Sequence, residues 1–218
     1  MTGEFDSGRR RICTMFLLTP LLLGLNACGI DSDAIEQTVK PDKPKLPNLE
    51  DFVKSVYTGD PNQITGVYVP DTYAMKIVQQ PHGDPTFISS DPQEITQFGK
   101  AMDYGSIGLL AHNTLAGAQF MEMSMNQVFA IVYGNGDVAY YQIHELQQFR
   151  AIQPDDPYSD FINIGNSTEG IIESEDVYKR IYGPGNRVVF QTCIEAENNP
   201  NWGRAFIIAA PYELTNDQ

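Results

Sequence analysis

The chain has 218 residues and a formal net charge of −14, with 14 lysines and arginines against 28 aspartates and glutamates. This acidity argues against nucleic acid as a partner, because no basic footprint is available to displace the counterions of a phosphate backbone. Hydrophobic residues at 42% and aromatic residues at 11% are too frequent for a disordered chain. We therefore expect one acidic globular domain behind a short leader.

The N-terminal segment has the pattern of an export signal. Arg9–Arg11 precede an uncharged apolar stretch, residues 12–27, which is short for a bilayer-spanning helix of about 20 residues. It ends in Leu25-Asn26-Ala27-Cys28, which resembles the lipobox of bacterial lipoproteins. The pattern predicts a signal peptide over 1–27, lipidation at Cys28 and a location outside the cytoplasm, anchored to the cell membrane. A short anchor that is never cleaved is the alternative.

Residues 28–47 are polar and contain Pro41 and Pro44, which is typical of an extended tether. The folded domain is then expected to span 48–218. Cys13 lies in the leader and Cys28 at the proposed lipidation site, so Cys193 is alone in the domain. An exported domain with one thiol forms no internal disulfide, and Cys193 is either an apolar filler or a reactive thiol.

The first half of the domain alternates short helices and strands. Asn48 is a suitable cap for a helix over 49–57. The run Asp91-Pro92-Gln93-Glu94 has the composition of a helix start, and Ile95, Phe98 and Met102 recur at helical spacing, which predicts a helix over 93–104. Strands are expected over 66–69, 73–79, 86–89 and 107–111.

The second half contains the clearest local signal, two β-rich runs over 128–133 and 137–143 around Gly134-Asn135-Gly136, which predict a hairpin. A third run over 147–152 extends the meander. A long excursion over 153–184 follows, with one helix expected over 175–182. Two final strands, 187–192 and 204–210, are expected to be joined by a ten-residue loop, 194–203. The whole pattern indicates a mainly β protein with short helices in the connections.

The sequence predicts no metal cofactor. It has three histidines and no His-x-x-x-His or Cys-x-x-Cys spacing, so a transition-metal site is not expected. Two acidic groups have the oxygen ligands that Ca²⁺ takes, although we favour a solvated acidic face for both. These groups are Asp155, Asp156 and Asp160, and Glu169, Glu173, Glu175 and Asp176.

Three residues remain as candidates for chemistry. Cys193 follows an apolar strand, Arg204 begins the next strand eleven residues later, and His112 ends an earlier strand within Leu110-Ala111-His112-Asn113. An arginine across an antiparallel pair would favour the thiolate, because its guanidinium is always charged. In this order of residues the chain, from about 66 to 212, resembles the sortases, the cysteine transpeptidases that attach proteins to cell walls or pilins. It keeps their Thr-Cys as Thr192-Cys193 but has Val189-Phe190 where Thr-Leu is usual.

The resemblance implies a sortase-like closed β-barrel of about eight strands. It also implies that Cys193 is the nucleophile, His112 the general acid and Arg204 the stabiliser of the thiolate and the oxyanion. Thr192 and Ala111 would shape the site. Trp202 would border the substrate groove, or else cover one end of the core, and the excursion over 153–184 would contact the peptide.

The implied partners are the sorting-signal peptide of an exported protein and an amine acceptor from the cell wall or a pilin. Cleavage through a thioester and transfer to that amine would be the reaction, with no cofactor. Two alternatives stay open at this point. One is a catalytically inactive sortase-fold lipoprotein that binds peptide, and the other is a hydrolase that uses water as the acceptor.

Overall fold

Ten strands and three short α-helices make up residues 45–214, the part of the chain that the computed structural model describes. The helices are α1 (Leu49–Ser55), α2 (Gly99–Met102) and α3 (Ser174–Tyr182), and 3₁₀ turns occupy Ala116–Glu122 and Ser167–Glu169. The strands are β1 (Ile64–Val69), β2 (Tyr73–Gln79), β3 (Glu94–Phe98), β4 (Ile107–Leu110), β5 (Val128–Tyr133), β6 (Val138–Ala151), β7 (Phe161–Asn163), β8 (Ile171–Ile172), β9 (Val188–Ala196) and β10 (Asn199–Pro211).

Eight of these strands close into a barrel, in the order β10-β9-β4-β3-β2-β1-β5-β6, because β6 also pairs with β10. β7 and β8 extend the sheet outward from β6. The pairs β2–β3 and β4–β9 are parallel, whereas the others in the ring are antiparallel. The predicted mainly β fold, a closed barrel of about eight strands with short helices, is confirmed.

The alternation of side chains along β9 divides the apolar residues between two clusters. Val188 and Phe190 belong to the cluster that includes Phe129 and Ile131 of β5. Val189 belongs to a second cluster, in which α3 contributes Val177, Ile181 and Tyr182. Because successive residues of a strand point to opposite faces, residues 189, 191 and 193 share the face that α3 covers.

The first and the last α-helix of the domain, α1 and α3, form where the sequence predicts them. Asn48 caps α1, since its Oδ1 accepts a hydrogen bond from the backbone N–H of Asp51 at 2.8 Å. α3 covers the helix predicted over 175–182 and is followed by Gly183. The predicted hairpin is also present as β5 and β6.

The helix predicted over 93–104 is wrong. Residues Glu94–Phe98 form β3, and only the four residues of α2 are helical. Asp91 makes a turn rather than a helix cap: its Oδ1 accepts from the N–H of Gln93 and its carbonyl from the N–H of Glu94. Ile95 and Thr96 are both fully buried on opposite faces of β3, so pairing within the barrel outweighs the local helical spacing.

The structure also differs from the sequence prediction at two strand regions and one loop. Residues 86–89 are irregular, and the Gln80 amide donates to the carbonyls of Pro85 and Phe87 there. The separate runs 137–143 and 147–152 form one strand, β6, in which His144 is exposed. The loop predicted over 194–203 is a tight turn at Glu197-Asn198, whose φ angles of 53° and 60° suit a two-residue hairpin.

The predicted signal peptide, 1–27, and the lipidation site Cys28 lie outside the described residues, as does most of the tether over 28–47. Between residues 45 and 214, no helix has the length and apolar character needed to cross a membrane.

Candidate active site

Cys193 and Arg204 are direct partners in the antiparallel pair of β9 and β10. Directly opposed residues of such a pair project their side chains to the same face of the sheet. β10 is held on its other side by β6, where Arg204 is opposite Phe149. The backbone of the barrel therefore directs the thiol and the guanidinium to the same face of neighbouring strands.

The neighbouring threonine ties this strand to the segment that contains the histidine. Thr192 is 2% exposed, and its Oγ1 donates a hydrogen bond to the carbonyl oxygen of Ala111 at 2.9 Å. The backbone N–H of Ala111 donates in turn to the carbonyl of Gln191 at 3.3 Å. These two bonds continue the parallel pairing of β4 and β9 by one residue, which brings His112 to the level of Cys193.

The backbone of His112 is held by the 3₁₀ segment that follows it. Its carbonyl accepts from the N–H groups of Leu115 at 2.9 Å and Gly117 at 3.0 Å. A Cβ at position 117 would collide with Thr192 Oγ1 and would lie 2.7 Å from the carbonyl oxygens of both Ala111 and His112. The glycine thus allows a close approach that keeps the His112 backbone in place, while the imidazole itself is exposed.

One cleft of about 290 Å³ brings the three candidate residues together, since Cys193, His112 and Arg204 all line it. Ala111 and Thr192 also line it, as do the apolar side chains of Phe98 and Leu110. The arrangement offers a nucleophile, an acid–base group and a fixed cation beside an apolar surface.

Three backbone carbonyls position the guanidinium of Arg204. Nη1 donates to the carbonyls of Asn201 and Gly203, both at 2.9 Å, and Nη2 donates to that of Pro154 at 3.3 Å. Of five N–H donors this leaves the one on Nε and one on Nη2. Among residues 45–214 no carboxylate forms an ion pair with Arg204, so its charge is not neutralised within that part of the chain.

Burial and charge act in opposite directions on the thiol. Burial raises the pKa of Cys193 above its ordinary value, and the Arg204 guanidinium offsets part of that rise. Arg204 therefore favours the thiolate, as the sequence predicts, but desolvation has the larger effect. The resting side chain is mainly the protonated thiol at neutral pH.

No family model matches the chain, and no curated protein matches it. Several solved structures do resemble it, and they are sortases.

Three of these structures illustrate the resemblance. Sortase C1 of Streptococcus agalactiae in complex with MTSET is 14% identical, with 76% of each chain covered and a TM-score of 0.44. Sortase A from Corynebacterium diphtheriae is 11% identical, with 73% of this chain and 65% of that chain covered and a TM-score of 0.45. Sortase C1 from Streptococcus suis is 10% identical, with coverages of 78% and 81% and a TM-score of 0.44. At such identities the likeness concerns the fold alone.

Trp202 stands apart from the other candidate residues. It lies half-buried on β10 and is not among the described residues that line the cleft. A register shift between Asn199 and Gly203 interrupts the β9–β10 ladder at this point. The role of Trp202 in substrate binding stays a prediction.

Sequence reasoning missed several residues of the cleft, chiefly Gln191, Tyr178 and Lys100. Gln191 had a signal, because it alternates with Cys193 along β9 and shares its face. Tyr178 and Lys100 had none, because α3 and α2 reach the cleft through the tertiary fold.

The two acidic groups considered for calcium are mostly paired or dispersed. Glu169 accepts from Arg180 at 3.1 Å and Glu175 from Lys179 at 3.2 Å. The described residues contain no group of three or more His, Cys, Asp or Glu side chains placed to share a metal ion.

Proposed function

We propose that this chain is a sortase-type cysteine transpeptidase, tethered outside the cytoplasm by its N-terminal segment. It would cleave a sorting peptide through a thioester and transfer the acyl group to an amine from the cell wall or a pilin. The observation that carries the proposal is that the β9–β10 ladder pairs Cys193 with Arg204 in a cleft that His112 also lines.

In the first half of the reaction, the Cys193 thiolate attacks the carbonyl carbon of the scissile peptide bond. The new C–S bond moves an electron pair onto the carbonyl oxygen, and the free N–H donors of Arg204 are suited to stabilise that oxyanion. The oxyanion then collapses and the C–N bond breaks. His112 in its imidazolium form gives its proton to the leaving amine, which leaves a thioester on Cys193.

In the second half, an incoming amine attacks the thioester carbonyl. Neutral His112 takes the proton that the amine loses as the new C–N bond forms. The C–S bond then breaks and Cys193 returns as the thiolate beside Arg204, so both groups recover their starting protonation states. The peptide is joined to the acceptor with no net consumption of water.

The electrostatics of the cleft determine what fraction of the enzyme has Cys193 in its reactive thiolate form. A raised Cys193 pKa means that the reactive thiolate is a minority form of the enzyme at neutral pH. Arg204 enlarges that minority, because its positive charge lies opposite the sulfur in the ladder. Binding of peptide over the cleft would exclude water and strengthen this attraction.

A second function, peptide binding without catalysis, is favoured by one specific observation. Burial raises the pKa of the Cys193 thiol and so favours the protonated form, which is the less nucleophilic one. The substitutions Val189-Phe190 at the usual Thr-Leu positions are consistent with either function, because both side chains are fully buried in the core.

The test is a ligation assay with the full chain. A pool of peptides with randomised central positions is incubated with triglycine, and the products are sequenced by mass spectrometry. We expect new peptide bonds to triglycine and a mass adduct on Cys193. Cys193→Ala should abolish both, and His112→Ala and Arg204→Ala should reduce ligation by at least about a hundredfold.

The matched control is His144→Ala, because His144 is an exposed histidine of β6 that does not line the cleft. It should ligate at the rate of the unaltered chain. Cleaved peptide without ligated product would identify a hydrolase. Bound peptide with neither product would identify the binding protein, and either result would overturn the transpeptidase.

A further inference from the structure

One wall of the cleft is built from α2 and α3 and contains a cation above an aromatic ring. Lys100 of α2 and Tyr178 of α3 both line the cleft, and the Lys100 ammonium lies 5.8 Å from the centre of the Tyr178 ring. The ring is held in place by Tyr182, on which it stacks at 6.0 Å, and by Phe98 at 6.0 Å. This wall has no part in the chemistry of Cys193.

A hydrogen bond between Tyr182 and Gln191 lies beside the Tyr178 ring, which stacks on Tyr182. The fully buried Tyr182 donates its O–H to Gln191 Oε1 at 2.9 Å, which leaves the Gln191 amide N–H groups as donors. Burial raises the pKa of Tyr178, and the neighbouring Gln191 side chain and the Arg204 charge offset part of that rise. Tyr178 lines the cleft, so its O–H can donate to a ligand bound there.

The Lys100 ammonium is a second donor without a carboxylate partner. Four basic residues of the described region form ion pairs, namely Lys54, Lys76, Lys179 and Arg180, and Lys100 is not one of them within that region. The chain as a whole has a net charge of −14. A positive charge in its cleft is therefore a local exception, and it would attract an anionic group that most of the surface repels.

The remaining charges of the cleft also favour the wall of Lys100 and Tyr178 as the place where a carboxylate binds. Asp155 lies on the Arg204 side, where its Oδ1 accepts from the Asn201 amide at 3.2 Å. A second carboxylate placed there would meet like charge. The Lys100 wall is bordered instead by apolar Phe98, Ile88 and Leu110, which present no competing charge to a carboxylate.

We propose that Lys100 and Tyr178 form a subsite for an acidic side chain of the bound peptide. The ammonium and the phenol O–H both donate to an aspartate or glutamate carboxylate. The inference rests on the proposed function in one respect, that the cleft binds peptide. Beyond that function, it specifies that the bound peptide contains an acidic residue.

The test measures binding and does not need catalysis. The full chain with Cys193→Ala is immobilised and presented with two peptide pools, one with aspartate or glutamate fixed at each position in turn and one with asparagine or glutamine. We expect at least one position at which the acidic pool is enriched by about tenfold, the size of one charge-assisted hydrogen bond.

Three variants in the Cys193→Ala background identify the source of the preference. Lys100→Met should bring the acidic enrichment close to one. Tyr178→Phe, which keeps the ring stacked, should reduce it by about threefold. Lys179→Met is the matched control, because this exposed lysine of α3 pairs with Glu175 and does not line the cleft; it should leave the enrichment unchanged.

The outcomes separate this inference from the proposed function. Acidic enrichment lost in Lys100→Met supports the subsite even if the ligation assay finds no transfer. No acidic enrichment at any position, or enrichment that Lys100→Met leaves intact, overturns the subsite even if ligation succeeds. Failure of every pool to bind also overturns it, whereas the transpeptidase is judged by ligation alone.

Discussion

Cys193 and Arg204 are opposed across the β9–β10 ladder at the point where β10 is also paired with β6. The backbones of Cys193 and Arg204 are thus held by two adjacent strand pairings of a closed barrel. His112 is placed differently, on the segment after β4, and depends on the contacts of Thr192 and Gly117. The two halves of the candidate site therefore respond to different substitutions.

Replacing Arg204 should make Cys193 less reactive. Arg204→Gln removes the charge that opposes the effect of burial, so the pKa of Cys193 should rise further. The rate of alkylation increases as the thiol ionises, and the variant should show that increase at higher pH. At about pH 8 we expect a loss of about fivefold, and a smaller loss for Arg204→Lys.

This is measured with iodoacetamide from about pH 5 to about pH 10. Mass spectrometry of the Cys193 peptide excludes signal from Cys13 and Cys28. His144→Ala should reproduce the profile of the unaltered chain. Identical midpoints for the unaltered chain and Arg204→Gln would show that the guanidinium does not act on the thiol.

The hydrogen bond from Thr192 to Ala111 should contribute to both stability and the site. Thr192→Val keeps the shape of the side chain but removes the donor, which leaves the Ala111 carbonyl with one partner fewer in the interior. We expect the free energy of unfolding to fall by about 1–2 kcal/mol in urea titrations. Ligation should fall more than stability explains, because the segment that contains His112 loses one of its two hydrogen bonds to β9.

Thr192→Ser retains the hydroxyl and should recover most of the ligation. Thr114→Val provides the surface comparison, since Thr114 is exposed in the same segment. Equal stability of Thr192→Val and Thr114→Val would contradict the role of this bond.

Gly117 should tolerate no side chain. In Gly117→Ala the added Cβ meets Thr192 Oγ1 and two carbonyl oxygens, and two of these three atoms belong to the backbone. Relief requires a shift of the His112 segment, so we expect a loss of about 1–3 kcal/mol in unfolding free energy together with reduced ligation. Gly165→Ala is the comparison, because its nearest neighbour within 4 Å is 3.4 Å away.

If Gly117→Ala unfolded at the same urea concentration as Gly165→Ala, the close approach at position 117 would have no energetic importance. The double variant Gly117→Ala with Thr192→Ala tests the cause directly. It removes the colliding hydroxyl and should be less destabilised than the sum of the two single variants.

The elements that the sequence predicts well are those whose local pattern and tertiary environment agree. The hairpin around Gly134-Asn135-Gly136 forms as expected, and α3 forms one residue earlier than expected. The helix over 93–104 failed because its apolar residues at helical spacing also suit β3, which is buried on both faces between β2 and β4. Nothing local distinguishes these two environments.

The same contrast holds for the site. Cys193 and Arg204 could be paired from sequence because both lie on consecutive strands, although the turn between them is two residues rather than ten. The Lys100 wall could not be anticipated, since it requires α2 and α3 to meet at β9. The sequence does not indicate the two-residue turn at Glu197-Asn198, because a glutamate with a φ of 53° is an uncommon turn residue.

Buried tyrosines should make the domain unstable in alkaline solution. Burial raises the pKa values of Tyr73 and Tyr182 well above 10.0. Burial, and to a smaller extent Tyr133, raises that of Tyr141 to about 12. In the unfolded chain these phenols ionise near pH 10, so above that pH the unfolded state binds fewer protons than the folded state. The free energy of unfolding must then fall as pH rises, by up to about 1.4 kcal/mol per pH unit for each tyrosine.

Tyr73→Phe tests this directly, because Tyr73 lies in the barrel interior and its hydroxyl contacts only Met123 Sδ at 3.2 Å among the bonds of the described residues. The variant removes one ionising group from the unfolded chain. Above about pH 10 the decline of its unfolding free energy with pH should therefore be shallower by about one tyrosine's share. Tyr57 is 61% exposed, so the unfolding free energy of Tyr57→Phe should decline with pH as steeply as that of the unaltered chain. Urea titrations at successive pH values give these slopes, and parallel slopes for Tyr73→Phe and the unaltered chain would mean that the Tyr73 phenol ionises without unfolding the barrel.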